Sequence, residues 1–109
     1  MAETNKPLAQ TNPSATTLTD SYTVPAATSA VVSSIVICNR GGTETSIRIS
    51  VAVGGAANDN KQYLYYDLPL PANDTFIATI GVTLAATDVI RVYAADAQVS
   101  FNIFGVEIT

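Results

Sequence analysis

An all-β fold is predicted: one antiparallel β-sandwich, jelly-roll-like, of about eight short strands, preceded by an extended N-terminal arm. Two observations carry the prediction. Short apolar stretches alternate with polar residues at the period of two that puts every second side chain on one face of a strand, most cleanly in Ser46-Ile47-Arg48-Ile49-Ser50-Val51-Ala52-Val53. Turns made of Pro, Gly, Ala, Asn and Asp separate these stretches at short intervals, as in sandwiches and jelly rolls, and no segment has helical periodicity. With 109 residues there is room for one domain and one core.

Residues 1–17 make up the arm and residues 18–109 the sandwich domain. The arm is rich in Thr, Asn, Ala and Pro, and Pro7 and Pro13 discourage both helix and ladder. It buries little by itself, so order is expected only where a partner receives it. The first strand is placed near residues 18–24 and ends at Pro25. Residues 30–39 follow, with Val31, Ile35 and Ile37 pointing one way and Val32, Val36 and Cys38 the other; apolar residues on both faces predict a central strand covered on both sides. Arg40-Gly41-Gly42-Thr43 reads as a turn. In residues 44–53, Ile47, Ile49, Val51 and Val53 are expected inward and Ser46, Arg48 and Ser50 outward.

A loop over residues 54–60 leads to a tyrosine-rich strand at 61–68. Residues 74–80 and 83–84 continue the sheet, and 89–93 pairs with 99–109. In that last strand Val99, Phe101 and Ile103 share one face while Phe104, Val106 and Ile108 have the opposite parity. One extra residue near Gly105 would reconcile them, which predicts a β-bulge and a bend able to carry the strand from one sheet to the other. A weak internal repeat marks the strand ends: Val24-Pro25-Ala26-Ala27-Thr28-Ser29, Leu70-Pro71-Ala72-Asn73-Asp74-Thr75 and Leu84-Ala85-Ala86-Thr87-Asp88-Val89. Each copy ends one strand and launches the next.

Charged residues are only 13% of the chain, about half the usual share of roughly 25%. The surface is left to Ser, Thr, Asn and Ala, which protects weakly against association and suits a surface covered by neighbours. The formal net charge is -4, and the five cations Lys6, Arg40, Arg48, Lys61 and Arg91 are scattered, so no nucleic-acid partner is expected. No apolar run approaches the ~20 residues that cross a bilayer, so no membrane partner is expected either. The N-terminal sequence lacks the basic and apolar regions of a signal peptide, and the single Cys38 excludes an internal disulfide.

There is no histidine to serve as base or metal ligand, and the acids lie mostly beside turns. No catalytic residue, metal or cofactor is therefore expected. The best calcium candidate is Asn58-Asp59-Asn60, which lacks the remaining spacing of a calcium loop. Asn73-Asp74-Thr75 fits a glycosylation acceptor, read as coincidental. Tyr63 and Tyr65 share one strand face and are the candidate contact residues, either for a subunit interface or for stacking on sugar rings.

The segments Tyr22-Thr23-Val24-Pro25-Ala26, Val31-Val32-Ser33-Ser34-Ile35-Val36-Ile37-Cys38-Asn39-Arg40, Tyr63-Leu64-Tyr65-Tyr66-Asp67, Asn73-Asp74-Thr75-Phe76 and Leu84-Ala85-Ala86-Thr87-Asp88 together resemble small virion structural proteins of tailed bacteriophages. The resemblance runs from about Tyr22 to Thr109 and leaves the arm unmatched. It implies a non-enzymatic β-sandwich that decorates a capsid or forms part of a tail or fibre, and it carries over no functional residue. Synthesis in the host cytoplasm and residence in the virion follow. The expected partners are other copies of the chain, a homo-oligomer and possibly a trimer, and other virion proteins such as capsid or tail proteins. The alternative is a carbohydrate-binding module using Tyr63 and Tyr65.

Overall fold

Strands form where the sequence alternates. The computed structural model describes residues 2–109. Within them lie β1 (Glu3–Thr11), β2 (Thr19–Thr23), β3 (Ser29–Asn39), β4 (Thr45–Ala52), β5 (Tyr63–Leu70), β6 (Thr75–Ala78), β7 (Val82–Leu84), β8 (Val89–Ala94) and β9 (Val99–Ile108). Two single 3-10 turns, Val53–Gly55 and Asn60–Gln62, interrupt the β4–β5 connection. One sheet has the order β1-β9-β3-β6, with β7 also on β3, and the other the order β2-β8-β4-β5.

The topology is that of a rolled-up hairpin. β4 pairs with β5, β3 with β6 and β7, β2 with β8, and β1 with β9, all antiparallel, so one half of the chain runs back along the other. Folding that ribbon over brings β9 against β3 and β8 against β4, which closes two sheets around one core. β6 takes residues 35–38 of β3 and β7 takes residues 30–32, so the two act as one interrupted edge strand. The expected jelly-roll sandwich of about eight strands is what forms.

The internal repeat is a set of corners between the sheets. Its fourth residue, Ala27, Asn73 or Thr87, has a positive φ of 56°, 55° or 70°. Its leading residue, Val24, Leu70 or Leu84, is buried in the core. Two copies are bonded to each other, Thr87 N–H donating to the Val24 carbonyl and Val24 N–H to the Asp88 carbonyl, each at 3.0 Å. The buried Asp88 carboxylate also accepts from Gly54 N–H at 2.8 Å and Ala85 N–H at 2.9 Å. Another buried polar residue, Asn39, donates to the Thr43, Leu70 and Pro71 carbonyls and accepts from Gly41 N–H, tying the 40–43 turn to a corner.

Several expectations are corrected. The segment read as a loose arm contains strand β1, laddered on β9 from Glu3↔Ile108 to Thr11↔Phe101. Backbone hydrogen bonds hold this edge strand with only Leu8 and Ala9 packed against the core, which is why its largely polar sequence hid it. In β3 the core side is Ala30, Val32, Ile35, Ile37 and Asn39, because a bulge at Ser33 switches parity; Val31 faces out, and Val36 and Cys38 are half-buried on an uncovered side. In β4, Ile47 and Ile49 are buried and Val51 partly so, but Val53 leaves the strand and is 75% exposed.

The bulge expected near Gly105 lies on both neighbours of β9 instead, at Leu8 of β1 and Ser33 of β3. β9 therefore stays regular and remains in one sheet. Gly105 is where the two bulged strands close in, and a Cβ there would collide with the Val31 carbonyl oxygen. No larger residue fits that point without moving backbone.

Candidate functional site

The second sheet turns outward Arg48, Tyr93 and part of the tyrosine cluster. Pairing of β4 with β5 runs Ile47↔Leu68, Ile49↔Tyr65, Ser50↔Tyr63, so the register shifts twice within a few residues. Tyr66 and Asp67 together span the place opposite Arg48, and Asp67 takes a left-handed φ of 52°. The second shift, with Leu64 as the extra residue between Tyr65 and Tyr63, separates the two candidate residues. Tyr65 sits opposite the buried Ile49, packs against the core, and meets the Phe76 ring edge-on at 5.6 Å. Tyr63 is instead brought to Tyr66, edge-on at 4.9 Å. A strict period of two cannot reveal a bulge, and Asp67, of a type tolerant of the left-handed region, marks the first shift but not the one at Leu64.

Arg48 organises this face. Its guanidinium lies 4.1 Å from the Tyr66 ring centre and 4.4 Å from that of Tyr93. Asp67 clamps it from the edge, with Nε donating to Oδ1 at 2.6 Å and an Nη to Oδ2 at 3.3 Å. That hydrogen-bonded carboxylate holds the guanidinium protonated even more firmly than usual. Between Asn60, Tyr63 and Tyr66 lies an open cleft of about 310 Å³. Tyr66 is 58% exposed, so its ring borders water while Arg48 occupies one side of it.

The far end of this outer face is covered by the chain itself. Segment 53–62 folds across it, with an Arg91 Nη donating to the Gly55 carbonyl and Arg91 Nε to Asp20 Oδ1. Beneath, Ser50, Ala52 and Val89 are buried, and the Ser50 hydroxyl has no partner. Ser50 thus faces outward in the pleat, as expected, yet is shut away from solvent. Asp59 caps the second 3-10 turn, Oδ1 accepting from Lys61 N–H, in a reciprocal box with Gln62. Its carboxylate is engaged by its own loop, and among the described residues no three His, Cys, Asp or Glu side chains cluster as metal ligands would.

The outer face of the first sheet is built differently. Cross-strand register places Ile77 beside Val36, Val31 beside Val106, and Phe104 between Ser34 and Pro7. Ile77 is 59% exposed. Around this stripe are uncharged residues: Thr75, Ser100, Asn102, Gln10, Thr83 and Asn5. Among the described residues, charge on this face appears at the ends, Glu3 opposite Ile108 at one and Arg40 over Ser100 and Asn12 at the other. Cys38 lies on this face between Thr75 and Ser100, half-buried rather than fully buried.

One cluster joins the sheets. Glu107 of β9 accepts from the Tyr22 hydroxyl of β2 at 2.6 Å and pairs with Lys6 of β1 at 3.0 Å. Hydrogen bonds from Tyr22 and then Lys6 hold its carboxyl below the usual range, while burial and the carboxylate push the Tyr22 phenol up.

Neither a protein-family model nor a curated protein matches this sequence.

Proposed function

We propose that the protein is a non-enzymatic structural module of a virus particle, a capsid decoration or a tail or fibre component of a tailed bacteriophage. It acts through contacts with its own copies and with other particle proteins. The observation that carries this reading is the outer face of the β1-β9-β3-β6 sheet. Its middle is an apolar stripe ringed by uncharged polar residues, the composition of a contact surface with a rim. Low overall charge and the resemblance between residues 22 and 109 point the same way. Jelly rolls serve in capsids and in lectins alike, so the fold itself is support only by analogy. The test is to count copies in purified particles by quantitative mass spectrometry and to locate the domain by electron microscopy. Tens to hundreds of copies at a fixed position on capsid or tail support the reading; absence from particles rules it out.

The cleft between Asn60, Tyr63 and Tyr66 favours a second reading, carbohydrate binding, with Tyr66 in the place first given to Tyr65. The exposed ring can stack on a sugar and the Asn60 amide can bond its hydroxyls. Binding of the isolated domain to a glycan array, lost in Tyr66→Ala, supports it, and an array with no binding removes it.

A further inference from the structure

We propose that the outer face of the β1-β9-β3-β6 sheet receives a second copy of this chain, face to face about a two-fold axis lying across the strands. The proposal deepens the reading of that face as a contact surface and rests on it. The argument is one of charge and pattern. Glu3 and Arg40 carry the charge of this face, they sit at opposite ends of it, and neither makes an ion pair among the described residues. Both lie on the β1–β9 side, since Arg40 reaches Asn12, just after β1, and Ser100 of β9. A two-fold axis running across the strands exchanges the ends of the face but keeps each side in place. It therefore sets Arg40 of each copy over Glu3 of the other, twice per dimer. An axis along the strands would leave each charge at its own end on the opposite side and bring no Arg40 over a Glu3.

The same operation makes the apolar rows meet. The Phe104 row is central and faces itself, and the Val36 row falls on the Val31–Val106 row of the other copy. Such self-complementarity is what an isologous contact requires. Size also suffices: the molecule measures 45 × 27 × 20 Å, and its broad face exceeds the roughly 800 Å² per partner of a standard interface. Opposite charges at opposite ends select two-fold pairing over the trimer expected from sequence.

The experiment is sedimentation equilibrium of the full chain, with charge reversal. Wild type should have twice the 11.4 kDa protomer mass. Phe104→Asp, and independently Val31→Asp, should be monomeric with an unchanged far-ultraviolet spectrum. Glu3→Arg or Arg40→Glu alone should weaken the dimer by roughly tenfold or more, and the double reversal should restore it. A monomeric wild type, a dimer that survives both aspartate variants, or a double reversal no tighter than the singles would overturn the proposal. The broader reading fails separately. If wild type is monomeric but Phe104→Asp no longer enters particles, the face contacts another particle protein and only the two-fold pairing is lost. If Phe104→Asp enters particles at wild-type copy number, the face is no contact surface at all.

Discussion

The two outer faces of this sandwich are finished in opposite ways. On the β2-β8-β4-β5 sheet, a cation held between two rings and clamped by Asp67 fills the middle, and the 53–62 segment covers one end. On the β1-β9-β3-β6 sheet no loop among the described residues lies over the stripe, and Val31 and Ile77 remain open. The first face pairs its arginines within the chain. The second gains only when another surface arrives, so its residues should matter to assembly far more than to folding.

Substitutions can sharpen or break this contrast. The largest effect should come from beneath the internally finished face: Ile49→Ala, at a fully buried position, should cost about 2–5 kcal/mol in denaturant titration. Next is Arg48→Ala, which removes two ring contacts and the paired hydrogen bonds to Asp67 and should cost about 1–2 kcal/mol. Arg48→Lys should recover only part, since an ammonium lacks the planar fork. A loss within about 0.3 kcal/mol for Arg48→Ala would mean that the stack is ornamental and the faces are alike.

Between the faces, the Glu107 cluster sets a pH response. Because the folded carboxyl lies below its ordinary value, its contribution is complete above about pH 4.3 and is lost as pH falls through the folded value. Tyr22 behaves conversely: its raised phenol contributes fully below about pH 10, and that contribution is lost as pH rises beyond. Melting temperature followed against pH should fall at both ends, with Glu107→Gln flattening the acid limb. An unchanged acid limb in Glu107→Gln would remove Glu107 as the cause.

Smaller effects separate the faces most cleanly. Ser50→Ala, which deletes a buried hydroxyl without a partner, should be neutral or stabilise by up to about 1 kcal/mol. Ile77→Ser, on the open face, should change the stability of the isolated chain by no more than about 0.5 kcal/mol. A cost above 2 kcal/mol at Ile77 would show that this face is already covered by its own chain.

The fold was legible because alternation and corner residues are local signals. The repeat beginning at Val24, Leu70 and Leu84 marks three strand ends in the sequence, and in the fold each of them is a crossing between the sheets. β1 was not legible, because an edge strand is held by backbone hydrogen bonds that leave no mark on side-chain hydropathy. Nor was the pairing of Tyr63 with Tyr66, since the shift that creates it depends on how β5 registers with β4. The bulge near Gly105 was half legible: bulges do flank Gly105, but they lie in β1 and β3, and regular β9 leaves Phe104 and Val106 on the outer face.

The rolled hairpin also dictates an order of events in folding. Closing β4 onto β5 spans the shortest loop, and each later pairing, β3 with β6 and β7, then β2 with β8, encloses a longer one. Loop-closure entropy rises with length, so zipping proceeds outward from the 53–62 connection, at the millisecond-to-second pace of β-rich chains with distant contacts. β1 joins β9 last, linking residues a hundred positions apart. Until it does, the edge of β9 from Phe101 to Ile108 stands unpaired beside apolar side chains. A chain caught at that stage would offer its neighbours a free strand to capture, so the speed of the final closure governs how much protein is lost to aggregation.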